Sequence, residues 1–205
     1  MRITAEKLGK RFNREWIFRN LDFTFDHGNT YAISGPNGSG KSTLLQILWG
    51  QLPQSSGSVK YELNGREIPV TEIFSHLSIA TPYMDLIDEF TLVEMVKFHF
   101  KFKKIRGNCS PEELIERMEL MPAKEKHISN FSSGMRQKLK LALAFYSDTN
   151  IIFLDEPTTN LDKKSVHWYL NNLIALPKDS LIFIAYNQEH DYPSHSIKLD
   201  ILRYK

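Results

Sequence analysis

Apolar and polar residues alternate in two segments near the start of the 205-residue chain. Residues 21–25 and 59–63 place an apolar side chain at every second position, which is typical of strands with one buried face. Asn64 and Gly65 follow the second segment and predict a tight hairpin turn. Residues 151–154 are apolar without alternation, which indicates a strand buried on both faces of a parallel sheet. Residues 181–185 predict a further strand.

The pattern of apolar residues becomes helical between about residues 72 and 147. Thr91 is placed to cap a helix that runs through Phe102, and Ser110 followed by Pro111 predicts the start of another helix. Beyond this region the chain returns to strand, helix and strand.

The order of these elements predicts an α/β fold in one domain, residues 1–205. Residues 1–70 and 148–205 are expected to form the core of the domain. Residues 71–147 are expected to form an inserted helical subdomain.

A glycine-rich loop follows the apolar residues 31–33 and leads into the apolar-rich residues 44–48. This arrangement of glycine, lysine and hydroxyl residues between a strand and a helix is that of a phosphate-binding loop. Its glycines let successive backbone N–H groups turn inward around a phosphate, because a Cβ would forbid these conformations. The loop therefore predicts a nucleoside triphosphate as the ligand. Its residues are Gly35, Pro36, Asn37, Gly38, Ser39, Gly40, Lys41, Ser42 and Thr43.

Two side chains at the end of this loop suit a bound triphosphate. Lys41 supplies a positive charge to the β- and γ-phosphates, and the helix that begins near it directs the positive end of its dipole toward the same anion. The Ser42 hydroxyl is the expected ligand of Mg²⁺, since this ion prefers oxygen ligands.

The strand predicted over residues 151–154 is followed by two carboxylates, Asp155 and Glu156. Open α/β sheets bind their ligands at the carboxyl ends of the strands, so both side chains are expected near the phosphate loop. Asp155 would hold the Mg²⁺ shell, and Glu156 would act as general base on a water beside the γ-phosphate. The alternative interpretation is an ordinary buried strand that ends in a solvated acidic turn.

A turn of serine and glycine precedes a helix with apolar and basic residues. Ser132, Ser133, Gly134 and Met135 form this turn. Together with the two motifs above, it resembles the signature sequence of the ATPase subunits of ABC transporters, with Phe131, Ser133 and Met135 as substitutions. Ser132 also suits the N-cap of the helix, and capping does not exclude ligand binding.

The resemblance covers roughly residues 3 to 190 and implies a fold and further site residues. The fold would be a P-loop NTPase of the ABC ATPase type, with a mixed-sheet core, an N-terminal antiparallel β part and the helical subdomain. Ser132 and the backbone near Gly134 would reach across a dimer interface to the γ-phosphate bound by the other subunit. Asn160, Leu161 and Asp162 correspond to the D-loop, which contacts the partner's phosphate loop.

Two further features follow from this comparison with the family. Asp162 is a candidate N-cap for a helix over residues 163–176. An aromatic residue near the N-terminal strand would stack on adenine, and Phe12 is the candidate, with Trp16 near enough to compete. The alternative for either ring is an ordinary core position.

One position expected from the family is missing between the core and the helical subdomain. The family has a Gln that contacts Mg²⁺ and the water, but this chain has no Gln between Gln54 and Gln137. Tyr83 and Asp85 are the alternatives for this position.

A second departure follows the strand predicted over residues 181–185. The family has a histidine that contacts the γ-phosphate, and this chain has Tyr186 or Asn187 at that position. His190, farther along, is expected to be a solvated surface residue. Both departures predict slow ATP hydrolysis with nucleotide binding retained.

Composition excludes several other classes of protein. The formal net charge of +2 is too small to indicate a nucleic-acid partner, and no apolar run approaches the roughly 20 residues needed to cross a bilayer. Met1 to Glu6 do not resemble a signal peptide. Cys109 is the single cysteine, which agrees with a reducing compartment. The chain is expected to be soluble and cytoplasmic.

Residues 96–104 interleave aromatic and cationic side chains. This combination can indicate stacking on nucleic acid, but buried Phe residues with solvated Lys residues on one amphipathic helix explain it more simply. In the family this region faces the transmembrane partner, so part of the aromatic surface is expected to dock a partner helix.

The resemblance implies an ATPase subunit that binds ATP and Mg²⁺ and forms a homodimer or heterodimer around two ATP molecules. This dimer would drive a separate membrane permease, which holds it at the inner face of the cell membrane, without direct contact to nucleic acid. The alternative is a soluble ABC-type ATPase that acts on a ribosome or an assembly scaffold. A P-loop kinase or GTPase fits less well, since the chain lacks an Asn-Lys-x-Asp motif.

Overall fold

The computed structural model describes residues 1–107, 109–186 and 191–205, in two compact units. The first unit comprises Met1–Leu77, Thr149–Glu156 and Pro177–Lys205, and the second comprises Ser78–Asp148 and Pro157–Leu176. The strands of the described chain are β1 (Arg2–Phe12), β2 (Glu15–Asp26), β3 (Thr30–Ser34), β4 (Ser56–Leu63), β5 (Arg66–Ile68), β6 (Leu77–Ala80), β7 (Ile151–Asp155), β8 (Leu181–Ala185) and β9 (Ile197–Asp200). Its α-helices are α1 (Lys41–Leu48), α2 (Leu92–His99), α3 (Pro111–Arg117), α4 (Ser133–Tyr146) and α5 (Lys163–Ile174).

An antiparallel sheet forms part of the first unit, with the strand order β2-β1-β4-β5. Asn64 and Gly65 form the turn between β4 and β5, with φ of 51° and 77°. Positive φ at both residues is what a type I′ hairpin requires, because its twist matches that of the paired strands. This confirms the turn predicted from the sequence.

A parallel sheet in the same unit has the order β7-β8-β3-β9. Every residue of β7 and β8 is buried, as predicted from the unbroken apolar run in β7. Phe153 on β7 stacks on Phe183 on β8 with ring centroids 4.6 Å apart. Trp49, only 3% exposed at the end of α1, contacts the Phe153 ring edge-on at 5.4 Å. This aromatic packing fixes α1, and the loop before it, against the sheet.

The chain passes from the first unit into the second within β6, which the sequence pattern did not predict. Residues from about 72 to 147 were expected to be helical. The strand is only four residues long, and a run that short carries no periodicity that distinguishes a strand from a helix.

The second unit contains α2 to α5, and their N-termini are capped as expected. Thr91 and Glu94 form a capping box at α2, and Ser110 and Glu113 form another at α3. However, α2 ends at His99 and does not continue through Phe102. None of the helices in the described ranges is both long and apolar enough to cross a membrane.

The aromatic residues after the middle of α2 are more exposed than predicted. Phe102 is 73% exposed and Phe98 is 36% exposed, whereas Val96 is buried. The rings of Phe90, Phe98 and Phe102 contact one another edge-on, at centroid distances of 5.4 and 5.3 Å. The expectation of buried Phe residues is therefore wrong for Phe98 and Phe102, and an aromatic ladder lies on the surface of the second unit.

A buried lysine joins α4 and α5 in the second unit. Lys138 Nζ lies 3.1 Å from Glu119 Oε2 and 4.8 Å from the centre of the Trp168 ring. Trp168 Nε1 donates to the carbonyl of Arg117 at 2.8 Å, and Lys164 Nζ pairs with the same Glu119 oxygen at 3.1 Å. These contacts satisfy a charge that would otherwise be costly to bury.

The burial of His99 predicts a pH-dependent stability. Burial, with a smaller effect of Lys103, lowers the pKa of His99 from 6.5 to about 4, and Nε2 lies 3.0 Å from Ser147 Oγ. As the pH falls, the unfolded chain takes up a proton near pH 6.5 and the folded chain only near pH 4. The free energy of unfolding should therefore decrease over this interval, by at most about 3 kcal/mol, in urea titrations at stepwise lower pH.

His99→Gln removes the titrating group, so its unfolding free energy should fall less steeply between these pH values. His167→Gln alters an exposed histidine on α5 and should keep the wild-type slope. Equal slopes for wild type and His99→Gln would contradict this role of His99.

Candidate functional site

The glycine-rich loop connects β3 to α1 in the first unit, as the sequence predicted. Gly38 and Gly40 have φ of 76° and 106°, a backbone region that L side chains rarely adopt. A Cβ on Gly40 would also collide with the Ile17 side chain. The loop can therefore bend around a ligand only with glycine at these positions, and it lies directly against the β1–β2 hairpin.

The Lys41 side chain is folded back over the loop. Its Nζ donates to the carbonyl oxygens of Gly35 at 2.7 Å and Pro36 at 3.3 Å, and the residue is only 5% exposed. Burial lowers the pKa of the Lys41 ammonium, while the carboxylates of Glu156 and Asp155 oppose this shift. An anion placed in the loop would stabilise this partly desolvated charge.

Asp155 lies at the end of β7 and is 2% exposed. Burial raises the pKa of its carboxyl group, while a hydrogen bond with Ser42 and the charge of Lys41 lower it. Oδ1 is buried and accepts no hydrogen bond from any described residue. A carboxylate oxygen without a partner, beside a hydroxyl, is a donor set that suits a hard divalent cation. These residues therefore fit Mg²⁺.

Glu156 follows directly and is partly exposed. Its N–H donates to the carbonyl of Ala185 at 2.9 Å, and its φ is 48°. A left-handed backbone at a residue other than glycine costs on the order of 1–3 kcal/mol, and such strain is concentrated at functional sites. The geometry is consistent with a general base, and that role remains a prediction.

Tyr186 follows β8 at the same edge of the parallel sheet. Its N–H donates to the carbonyl of Ile33 at 3.3 Å. The Tyr186 backbone therefore lies beside Ile33, two residues before the phosphate loop starts at Gly35. Asn187, the other candidate for this position, and His190 lie outside the described residues.

The two candidates for stacking on adenine lie on the β1–β2 hairpin. Phe12 is 47% exposed, with Lys10 Nζ 5.0 Å from its ring centre. Trp16 is half-buried, with the Arg11 guanidinium 5.7 Å from its ring. The Ile17 side chain packs against Gly40 of the phosphate loop, and Trp16 is the residue before Ile17. Both rings remain candidates.

The serine and glycine turn caps α4 in the second unit. Ser132 is exposed, and its Oγ accepts a hydrogen bond from the Met135 N–H at 3.2 Å, which confirms it as the N-cap. Asp162 likewise caps α5, accepting from the Ser165 N–H at 2.7 Å. Several residues of both motifs line one open cleft of about 470 Å³, among them Ser132, Ser133, Gly134, Met135, Asn160 and Asp162.

Two contacts in this unit, which the sequence did not predict, join Pro157 and Asn160 to α4. Gln137 is 6% exposed and donates through Nε2 to the carbonyl of Pro157 at 2.9 Å. A Cβ on Gly134 would lie 2.9 Å from the carbonyl oxygen of Asn160, so the two segments approach as closely as a glycine allows. No local sequence pattern signals these contacts, because their partners are distant along the chain.

A lysine holds the loop that contains Tyr83 and Asp85, the two candidates for the family's glutamine position. Lys140 Nζ donates to the carbonyls of Pro82 at 2.8 Å and Thr81 at 3.3 Å. Tyr83 is 80% exposed, and Asp85 is exposed as well. Within the second unit neither side chain is buried, and the choice between them remains open.

The parallel sheet with its phosphate loop, together with the antiparallel sheet, defines an α/β fold of the P-loop nucleotide-binding class. Residues 18–159 match the family model described as ABC transporter. The chain therefore belongs to the ABC transporter family, and it resembles the ATP-binding subunits of that family.

Three curated relatives show the range of these matches. The chain is 31% identical over 190 residues to the uncharacterized ABC transporter ATP-binding protein YybJ of Bacillus subtilis, covering 91% of the chain and 86% of YybJ. It is 33% identical over 165 residues to the cytochrome c biogenesis ATP-binding export protein CcmA of Mesorhizobium japonicum, covering 80% and 81%. Rat ATP-binding cassette sub-family A member 7 is 34% identical over 150 residues, 72% of this chain but only 7% of that protein.

Solved structures agree with the fold. A putative ABC transporter ATP-binding protein from Pyrococcus furiosus superimposes with a TM-score of 0.81 at 20% identity, covering 100% of both chains. A dimeric, post-hydrolysis structure of the ATP-binding cassette MJ0796 bound to ADP and Pi gives 0.80 at 21% identity, covering 99% and 97%. These similarities confirm the predicted fold class.

The close approach at Gly134 predicts a destabilising substitution. Gly134→Ala places a methyl group 2.9 Å from the backbone oxygen of Asn160, so the segment around Asn160 has to move. We expect a net loss of about 1 kcal/mol in unfolding free energy, despite the helix propensity that alanine adds. The neighbouring exposed Ser133→Ala serves as the control and should change it by less than about 0.5 kcal/mol in denaturant titrations. An unchanged or higher stability of Gly134→Ala would contradict the contact.

The burial of the Asp155 carboxylate predicts that removing its charge stabilises the nucleotide-free protein and weakens nucleotide binding. A raised pKa means that the folded protein binds the Asp155 proton more tightly than the unfolded chain, so the ionised group destabilises the fold at neutral pH. Asp155→Asn should therefore raise the unfolding free energy of the nucleotide-free protein by about 1 kcal/mol, while weakening Mg²⁺-dependent nucleotide binding.

The matched control is Asp179→Asn, at an exposed position in the same unit, which should change neither quantity. Thermal denaturation with a chelator present gives the stability, and nucleotide titration with and without Mg²⁺ gives the binding. A clear loss of stability in Asp155→Asn would show that the ionised carboxylate does not destabilise the free protein.

Proposed function

We propose that this chain is the ATP-binding and ATP-hydrolysing subunit of an ABC transporter, which dimerises around two ATP molecules and drives a separate permease. The observation that carries the proposal is the buried Oδ1 of Asp155, which has no hydrogen-bond partner among residues 1–107, 109–186 and 191–205. The Asp155 side chain is hydrogen-bonded to that of Ser42, which ends the phosphate loop. Together these groups supply a cation site and an anion site side by side, as a Mg²⁺–nucleotide complex requires.

Each group at the first unit has a distinct part in ATP binding. The backbone of residues 35–43 surrounds the phosphates, and Lys41 adds its charge where the β- and γ-phosphates lie. Ser42 and Asp155 would hold Mg²⁺, which supplies charge neutralisation to the phosphate oxygens when bound. Phe12 or Trp16 stacks on the adenine.

Hydrolysis requires a water aligned with the γ-phosphorus. One carboxylate oxygen of Glu156 accepts a proton from this water as its oxygen bonds to phosphorus, and the bond to the bridging oxygen of ADP breaks. The missing glutamine and histidine of the family leave this chain with fewer groups to orient the water, so slow turnover is part of the proposal.

Dimerisation is supported by the surface of the second unit. Ser132 is exposed at the N-terminus of α4, where the helix dipole favours an anion, and Asn160, Leu161 and Asp162 lie in the segment joined to that helix. In the proposed homodimer or heterodimer, Ser132 and the backbone near Gly134 contact the γ-phosphate held by the partner. The dimeric ATP-binding cassette among the solved structures has the same fold.

A separate permease is supported by the relatives and by an exposed surface. The names of the relatives include export and import ATP-binding proteins. The aromatic ladder of Phe90, Phe98 and Phe102 gives the second unit a surface that suits an apolar partner helix. The family favours this role over the alternative of a soluble ATPase acting on a cytoplasmic complex. The subunit would then lie at the inner face of the membrane through its permease.

Glu156→Gln tests the proposed base. The amide keeps the shape of the side chain but cannot accept the proton, so ATP hydrolysis should fall by about 10²- to 10⁴-fold while ATP affinity stays within about twofold. Phosphate release and nucleotide titration measure the two quantities. Because ATP then persists at the interface, sedimentation should show an ATP-dependent dimer.

Glu125→Gln, at an exposed glutamate of the second unit, is the matched control and should retain wild-type hydrolysis. An unchanged rate in Glu156→Gln would refute the assignment of the base. Copurification of a polytopic protein from native membranes would support the permease, whereas a ribosomal complex would support the alternative function.

A further inference from the structure

A loop that follows β6 is fastened along the side of α4 in the second unit. Residues 81–90 form this loop, which is here named the strap. At its start, Lys140 Nζ in the middle of α4 donates to the carbonyls of Pro82 at 2.8 Å and Thr81 at 3.3 Å. The Thr81 carbonyl also accepts from the Met84 N–H at 3.2 Å. Lys140 therefore holds a tight turn of the strap against the helix.

A second cation of α4 holds the strap nearer to the start of the helix. Arg136 Nη2 lies 2.7 Å from Asp88 Oδ1. Arg136 and Lys140 are four residues apart, so they lie on the same face of α4, about 6 Å apart along its axis. The Arg136 N–H donates to the carbonyl of Ser132 at 3.0 Å. The strap thus passes from the middle of α4 to the turn of serine and glycine that begins it.

The end of the strap pairs with the segment that leads into this turn. The Ser129 N–H donates to the carbonyl of Asp88 at 3.0 Å, and the Ile128 N–H donates to the carbonyl of Phe90 at 2.8 Å. Ser132 follows Ser129 by three residues. The strap therefore contacts the chain both before and after Ser132, so the position of the turn depends on the position of the strap.

Lys140 is the stronger of the two cationic contacts. Its side chain is half-buried, and burial is the main cause of its lowered pKa, while the charge of Asp85 opposes this shift. Hydrogen bonds from a charged donor are roughly twice as strong as bonds between neutral groups. The side chains of Arg136 and Asp88 are 31% and 52% exposed, and an ion pair this exposed contributes little by itself.

We propose that Lys140 is a positioning residue for the assembled ATP site. It fixes the strap against α4, and the strap holds the Ser132 turn in the orientation in which this turn contacts the phosphate bound by the partner. Lys140 acts through the strap and not by touching the nucleotide, and the pair of Arg136 with Asp88 adds to the same effect. This inference rests on the proposed dimer.

The first test measures the ATP-dependent dimer by sedimentation in a Glu156→Gln background, where hydrolysis does not interfere. Lys140→Met keeps a long aliphatic side chain and removes the donors, so the dimer dissociation constant should rise about tenfold. ATP affinity below the concentration of dimerisation should stay within about twofold, because the phosphate loop belongs to the first unit. Lys140→Arg restores a charged donor and should keep the dissociation constant within about threefold of the background.

Hydrogen exchange adds a readout that a merely local role of Lys140 would not move. The Met135 N–H donates to Ser132 Oγ at 3.2 Å and so reports on the turn itself. Its exchange should become about tenfold faster in nucleotide-free Lys140→Met. The Glu113 N–H, which donates to the capping Ser110 Oγ at 3.1 Å on α3, is the matched reference and should exchange at an unchanged rate.

Asp88→Asn separates an effect through the strap from a direct attraction between Arg136 and the partner's phosphate. It removes the strap end of the ion pair and keeps Arg136, so the dimer dissociation constant should rise about threefold. Direct attraction would leave the dimer unchanged or make it tighter. Lys126→Met makes the same substitution at an exposed lysine of the second unit and should alter neither dimerisation nor exchange.

The outcomes distinguish this inference from the proposed function. If Glu156→Gln dimerises with ATP and Lys140→Met does so equally well, the positioning role is overturned while the proposed function stands. A weaker dimer with unchanged exchange at Met135 would also overturn it, because the Ser132 turn would then not depend on the strap. If the Glu156→Gln protein itself remained monomeric with ATP, the proposed dimer and this inference would both fail.

Discussion

The parallel register of β7, β8 and β3 is the constraint on which the candidate site depends. Ala185 lies level with both Asp155 and Ile33, so the residues that follow the three strands leave the sheet at the same height. All of β7 and β8 is buried, and a slip of one residue would turn apolar side chains away from their partners. The core therefore fixes the register, and the position of the site follows from it.

Burial then determines the electrostatics at this edge. It lowers the pKa of Lys41 and raises that of Asp155, so the charged form of each group is less stable than it would be in water. Each group would gain from a ligand of opposite charge, the lysine from a phosphate and the aspartate from a divalent cation. These two charged groups therefore lower the stability of the ligand-free protein, and binding of their ligands would raise the stability again.

The sequence was sufficient to predict features that depend only on residues close to one another along the chain. The caps at Thr91, Ser110 and Ser132, and the phosphate loop between a strand and a helix, follow from neighbours within a few residues. The fold class was also predictable, because the motifs occur in the order of a known family. The roles of Glu156 and of the signature turn remain predictions.

What could not be predicted depends on contacts between distant residues. Gln137 reaches a carbonyl 20 residues away, and Tyr192 acquires its place only when Tyr186 and Lys198 are brought beside it. The exposure of Phe98 on α2 and of Phe102 after it depends on which other segments pack over these rings, and a helical pattern alone does not contain that information. Short elements such as β6 could not be predicted for a different reason, because four residues are too few to show the periodicity of a strand.

The positions of the three tryptophans make this chain suitable for optical measurements. Trp49 is 3% exposed against Phe153 in the first unit, and Trp168 is 7% exposed beside Lys138 in the second. Trp16 lies on the hairpin that adjoins the phosphate loop. Single-tryptophan proteins would thus report by fluorescence emission on the melting of each unit separately, and on base stacking at the hairpin, without an added dye.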